Sequence, residues 1–226
     1  MNDFEKYYFS TTQRAMTKYP HYLELYERHF SPFRGKSPCV VEIGVGHGGS
    51  LQMWKHCLGE GTKVYGIDIQ KRFTYEEKDI EIITGDQGDL TFLGKLKTII
   101  PKIDILIDDG SHMSRDQIVT FENLFPLMND HGVYFCEDVH YSYRPAFYET
   151  SYIKFSDYIH NLADYLAGEL PYERGSVLAD CIQATKGVYF YICAVVVERG
   201  PYDLTPSSPI KVGVIPMDQR EETGPH

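Results

Sequence analysis

Past Pro38 the chain alternates short apolar runs with longer amphipathic stretches. Residues 39–43, 64–68, 80–83, 103–107 and 132–136 are compact runs rich in Val and Ile, which predicts strands. Between them, residues 50–58 carry Leu51, Trp54 and Leu58 at helical spacing, and residues 89–100 and 114–128 also read as helices. A further helix is expected within 153–170. Residues 181–184, a turn at Thr185-Lys-Gly187 and residues 188–197 predict an antiparallel hairpin. Strands alternating with helices imply an α/β fold with a doubly wound, mostly parallel sheet, here closed by that hairpin.

Residues 1–37 break this rhythm. Tyr22, Leu25, Tyr26 and Phe30 lie on one helical stripe, which Pro32, Gly35 and Pro38 bring to an end. We expect an N-terminal helical lid or appendage at 1–37 and a main domain at 38–226. Tyr7, Tyr8, Phe9, Tyr19 and Tyr22 suit a lid over a site, a dimer contact or plain packing of the appendage; His21 reads as structural or exposed.

Composition narrows the classes. With 226 residues the chain is the size of one large domain. Its formal net charge of −10 argues against nucleic acid or an anionic membrane as partner, since both call for a basic surface. The five cysteines form no C-x-x-C pair, which fits a reducing compartment. The first residues lack the pattern of a signal peptide, and no apolar run approaches the ~20 residues of a membrane span. A cytoplasmic protein is the expectation.

Two strand ends carry candidate chemistry. The first strand runs into Glu42-Ile-Gly44-Val-Gly46-His-Gly48-Gly49-Ser50. Such glycines let a backbone turn sharply and approach a nucleotide ahead of a helix N-terminus. Asp68, at the end of the second strand, is placed to accept hydrogen bonds from both ribose hydroxyls. Asp86, after the third, could meet an adenine edge or simply cap a turn. An ordinary strand-to-helix turn is the plain alternative, but it leaves the joint occurrence with Asp68 unexplained.

The fourth strand ends in Asp108-Asp109-Gly110-Ser111-His112 and the fifth in Glu137-Asp138. Ligands in open α/β sheets lie beyond the C-terminal strand ends, so the two clusters converge. Carboxylates so close repel unless a cation lies between them. Asp109, Glu137 and Asp138 are therefore the expected ligands of Mg²⁺ (or Mn²⁺), a hard cation that takes oxygen donors. Without a Cys in either cluster, structural zinc is disfavoured. His112, three residues past Asp109, suits a general base, because imidazole accepts protons near neutral pH.

Taken together, residues 41–54, 65–69, 85–87, 107–112, 120–126 and 137–140 resemble the metal-dependent sugar O-methyltransferases of macrolide biosynthesis. These are class I S-adenosylmethionine (SAM) enzymes related to the cephalosporin hydroxylase group. The resemblance covers about residues 18–145 well. It implies a seven-stranded sheet whose last strand is antiparallel, and SAM bound by Glu42, Gly44, Gly46, Gly48, Ser50, Asp68, Asp86, Gln87 and Asp108. It also places the metal on Asp109, Glu137 and Asp138 and the base on His112. The expected partner is a small hydroxylated acceptor, a sugar or other polyhydroxylated molecule, and the expected assembly a homo-oligomer. After His140 the run Tyr141-Ser-Tyr-Arg144 departs from the family's Thr-Ser-Tyr-Trp, which suggests an anionic or more polar acceptor at Arg144 or leaves Arg144 a surface residue. The alternatives to methyl transfer are a nicotinamide-dependent oxidoreductase, which the glycine spacing disfavours, a non-catalytic SAM-binding module, and a hydroxylase, which lacks iron-type His ligands.

Overall fold

The computed structural model describes residues 1–147, 151–168 and 177–200. Seven strands form one sheet: β1 (Cys39–Ile43), β2 (Lys63–Asp68), β3 (Ile80–Thr84), β4 (Ile105–Asp108), β5 (Val133–Cys136), β6 (Thr185–Tyr191) and β7 (Ala194–Arg199). They lie in the order β3-β2-β1-β4-β5-β7-β6. The pairs among β1 to β5 are parallel, whereas β7 runs antiparallel to both β5 and β6. The order reverses between β1 and β4, which opens a crevice at their C-terminal ends.

Helices α1 (Asp3–Ser10), α2 (Pro20–Phe30) and α3 (Gly49–Leu58) cover one face. Helices α4 (Leu90–Ile99), α5 (Ser114–Leu124), α6 (Phe155–Gly168) and α7 (Val177–Ala184) cover the other. Strand alternation decides what each face receives. Val40, Ile105, Ile107, Val133 and Phe135 point to α1–α3, while Val41, Ile43, Leu106, Tyr134 and Cys136 point to α4–α7. Carried one step further, the same parity sends Glu42, Asp109 and Glu137 to the α2 face and Asp108 to the opposite one.

The N-terminal segment packs into this core. Phe4, Tyr22, Leu23, Tyr26 and Phe30 are buried in the same cluster as Trp54 and Phe135. Tyr26 meets Trp54 edge-on with ring centroids 4.8 Å apart, a geometry worth about 1 kcal/mol beyond the area it buries. Tyr7 and Tyr8 pack against this cluster, whereas Phe9 and Tyr19 remain exposed.

The hairpin differs from expectation. Residues 181–184 close α7, where Cys181, Ile182 and Ala184 are buried at helical spacing. The Thr185 hydroxyl donates to the Cys181 carbonyl four residues back, in the manner of a helix. Residues 185–187 thus open β6, and the reversal comes at Ile192-Cys193, where Ile192 is exposed and Cys193 has φ +61°. The β-branched run that reads as one long strand folds back on itself because a left-handed residue divides it. The expected helix within 153–170 is α6; residues 169–170 lie outside the described ones. No helix among the described residues is long and apolar enough to cross a membrane.

Candidate active site

The turn after β1 is held against the tip of β4. Gly44 has φ +92°, and a Cβ there would lie 2.0 Å from the Asp109 carbonyl oxygen. Only glycine permits that approach. The Gly44 N–H donates to the Ile67 carbonyl (2.8 Å) and the Asp109 N–H to that of Ile43 (2.9 Å), so three strand tips are fixed together.

Two adjoining cavities, of about 380 and 160 Å³, share Gly44, Asp68 and Gly110. The smaller is lined by Ile69, Asp86, Gln87 and Ser111 as well. Gly46, Ser50, Asp109, His112 and Asp138 line the larger, whose roof is the chain segment Ala15 to Lys18. The Asp68 carboxylate is already oriented: it accepts from the Val45 N–H (3.2 Å) and the Gln70 N–H (2.8 Å). Asp86 is exposed and caps its own turn through the Gly88 N–H (2.8 Å).

Two expected cofactor residues, Glu42 and Asp108, lie behind this cleft, whereas Gln87 both lines it and braces Asp108. The Glu42 carboxylate accepts from the Ser50 hydroxyl (2.7 Å), the Trp54 indole N–H (2.9 Å) and the Lys18 ammonium (3.1 Å). It therefore anchors the glycine turn and α3 to the strand. Asp108 is wholly buried and accepts from Gln87 Nε2 and the Tyr134 hydroxyl, both at 3.0 Å. Burial pushes its carboxyl up to about 6, with those two donors pulling the other way. Gln87 also accepts from the Ser111 N–H (2.7 Å), which ties the turn after β3 to the one after β4.

The acidic tips converge as their parity requires. Lys18 Nζ lies 2.7 Å from Asp109 Oδ2, 3.0 and 3.1 Å from the two Glu137 oxygens, and 3.1 Å from Glu42 Oε1. Asp109 and Glu137 thus touch one and the same ammonium. The Tyr26 hydroxyl donates to Glu137 Oε1 (2.7 Å), and that of Tyr22 to Asp138 Oδ1 (2.8 Å). Burial raises the carboxyls of Glu137 and Glu42, against the pull of Lys18. Burial also opposes the Lys18 charge, but Asp109, Glu137 and Glu42 together hold it well above the usual lysine range.

Asp109, His112 and Asp138 each bring a ligand atom within 4.8 Å of the others. His112 and Asp138 both adopt φ +58°, an unfavourable conformation for such residues that clusters at functional sites. The His112 ring stacks on Tyr141 (centroids 4.8 Å), and its buried Nδ1 has no partner among the described residues. Three carboxyl groups meet one ammonium in a largely buried place, with Asp138 beside them, and burial holds Glu42 and Glu137 toward the protonated form in the absence of further positive charge. An oxygen-rich, undercompensated donor set of this kind suits a divalent cation.

Lys18, Tyr22 and Tyr26 do not stand out as site residues in the sequence. The i, i+4 spacing of the two tyrosines is visible, but it reads equally as core stripe. A lone lysine between Thr17 and Tyr19 carries no signal for burial.

The strand order with its reversed β7, the glycine turn after β1 and an acidic residue ending β2 define a class I methyltransferase fold. Residues 41–139 match the family described as a methyltransferase domain. Over 133 residues the chain is 44% identical to 8-demethyl-8-alpha-L-rhamnosyl tetracenomycin-C 2'-O-methyltransferase of Streptomyces olivaceus, covering 56% of this chain and 35% of that one. It is 35% identical over 188 residues to demethylmacrocin O-methyltransferase of Streptomyces fradiae, covering 77% and 47% respectively. Among solved structures, MycE methyltransferase from the mycinamycin biosynthetic pathway, in complex with Mg, SAH and mycinamycin VI, superposes with a TM-score of 0.75 at 30% identity, covering 88% of this chain and 53% of that one. The chain spans about half the length, or less, of these relatives.

Proposed function

We propose that this protein is a SAM-dependent O-methyltransferase acting on a hydroxyl of a sugar or similar polyhydroxylated small molecule, with a divalent cation, Mg²⁺ or Mn²⁺, at the tips of β4 and β5. The observation that carries this reading is the convergence of Asp109, His112 and Asp138 on a cavity shared with the glycine turn and Asp68. The kinship with sugar O-methyltransferases and the Mg- and SAH-bound neighbour support it over the nicotinamide alternative.

SAM, when bound, supplies an electrophilic methyl group, and the cation supplies positive charge that acidifies and orients a hydroxyl. The protein's own groups do the rest. Gly44 and Gly46 open the backbone at the cofactor's place, Asp68 accepts hydrogen bonds there, and Asp86 and Gln87 close the far end of the cleft. Asp109, Glu137 and Asp138 would hold the cation. A ring nitrogen of His112 accepts the proton of the acceptor hydroxyl, and the stacked Tyr141 fixes the ring plane. Before the ion binds, Lys18 and the segment before it cover the larger cavity.

The test is methyl transfer from isotopically labelled SAM to a panel of sugars and glycosides, read by mass spectrometry. Transfer should stop with a chelator and return with Mg²⁺. The His112→Ala variant should bind SAH normally and lose turnover. Full activity without metal, or lost SAH binding with unchanged turnover per bound complex, contradicts the assignment. Thermal stabilisation by NAD and not by SAM would favour the oxidoreductase.

A further inference from the structure

Lys18 is the least expected group in the site. Its side chain is 2% exposed, and an ammonium has three hydrogens to donate. Glu42, Asp109 and Glu137 take all of them. Two of these acceptors are the carboxylates assigned to the cation. Both Glu137 oxygens face Nζ, and Oε1 also receives the Tyr26 hydroxyl, so Glu137 has little capacity left. A divalent ion drawing on Glu137 must take an oxygen that Lys18 holds; at Asp109 it meets Lys18 on Oδ2, and even on Oδ1 it would sit close to the ammonium, where two cations repel strongly.

Lys18 also terminates a strap across the cofactor turn. The Gly49 N–H donates to the Ala15 carbonyl (3.2 Å), the Arg14 N–H to Gln52 Oε1 (3.2 Å), and Arg14 Nη1 to the Tyr75 carbonyl (2.6 Å). A Cβ on Gly49 would lie 2.4 Å from the Arg14 carbonyl oxygen, so the strap lies directly on the start of α3. The ammonium is the strap's one charged tie to the tips of β4 and β5 among the contacts described.

We propose that Lys18 is a tethered internal cation that competes with the divalent ion for Asp109 and Glu137, so that metal binding withdraws Lys18 and loosens the strap over the cofactor turn. This rests on the proposed metal site. It makes Lys18 a positioning residue: it keeps the carboxylates gathered until the ion arrives, and it sets how tightly the ion is held. The strap links the two halves of the site, since its carbonyls touch the glycine turn and its last side chain touches the metal ligands.

The experiment compares Mn²⁺ binding to the full chain and to its Lys18→Met variant by calorimetry, with no cofactor or acceptor present. Methionine keeps much of the length of the side chain and removes the charge. Losing a charge-assisted competitor predicts binding about tenfold tighter in the variant. In parallel, the unmutated protein is treated with an amine-reactive reagent and digested, and modification at Lys18 is followed by mass spectrometry across a Mn²⁺ titration. Lys18 should be protected without the ion and become reactive as the site fills. Equal or weaker Mn²⁺ binding by K18M, or Lys18 still protected at saturation, overturns the proposal while leaving the metal site intact. No Mn²⁺ binding by either protein overturns both. The labelling arm decides the matter even if K18M does not fold.

Discussion

Replacing Gly44 with alanine should damage the fold and the cofactor site together, while the same change at Gly46 should not. At Gly44 the backbone sits at φ +92°, which costs an L-residue about 1–2 kcal/mol. The new methyl would also lie 2.0 Å from the Asp109 carbonyl oxygen, so the β1 turn and the β4 tip must part by about 1 Å. Overpacking of that kind adds roughly 1–3 kcal/mol. A total near 3 kcal/mol predicts a melting temperature lower by about 6–12 °C for a chain of this size. The parting also moves Asp109 away from the cleft, so SAH affinity should fall by about tenfold or more. Gly46 has φ +54° with nothing within 4 Å of the added methyl, and should lose only about 1 kcal/mol. Thermal melts and SAH calorimetry on both variants provide the check. A G44A protein that melts within 2 °C or so of the unmutated one and binds SAH equally well would refute the claim that this contact sets the site's geometry.

Other outcomes rest on single contacts. The buried Asp108 carboxyl is raised from 3.8 to about 6, so the native chain keeps a proton that the unfolded chain releases. Its contribution is full below about pH 4 and is lost as pH rises through 6, a change of about 3 kcal/mol. Denaturant titrations between about pH 4 and 6 should show a steeper fall in the unmutated protein than in Asp108→Asn, where only the part due to Glu42 and Glu137 remains; parallel slopes would contradict it. Tyr26→Phe removes a hydrogen bond to the buried Glu137 and should cost about 1–3 kcal/mol with little change in SAH affinity; an unchanged denaturation midpoint would show the contact to be inconsequential.

Most of the sheet was legible because its central strands, buried on both faces, read as short continuous apolar runs, and its connecting helices are amphipathic. Parity reaches into the site as well: Glu42, Asp109 and Glu137 all continue the face that carries Val40, Ile107 and Phe135, so their meeting point obeys the same alternation. Asp108 obeys it toward the other face, and that is why it packs with Tyr134 and Gln87 rather than lining the cleft. Lys18 was not legible. Its burial depends on three carboxylates from distant parts of the chain, a tertiary fact with no local pattern. The hairpin turn was hidden for a related reason, since the reversal at Ile192-Cys193 uses an exposed isoleucine and a left-handed cysteine instead of turn-forming residues.

The central claim is that aspartates from neighbouring strand tips hold a divalent cation beside the SAM cleft. Electron paramagnetic resonance of Mn²⁺ titrated into the full chain, alongside Asp109→Asn and Asp138→Asn, tests it most directly. One bound ion is expected in the unmutated protein, with a large loss of binding in each variant. Binding of equal strength in all three, or none in the unmutated protein, would contradict it.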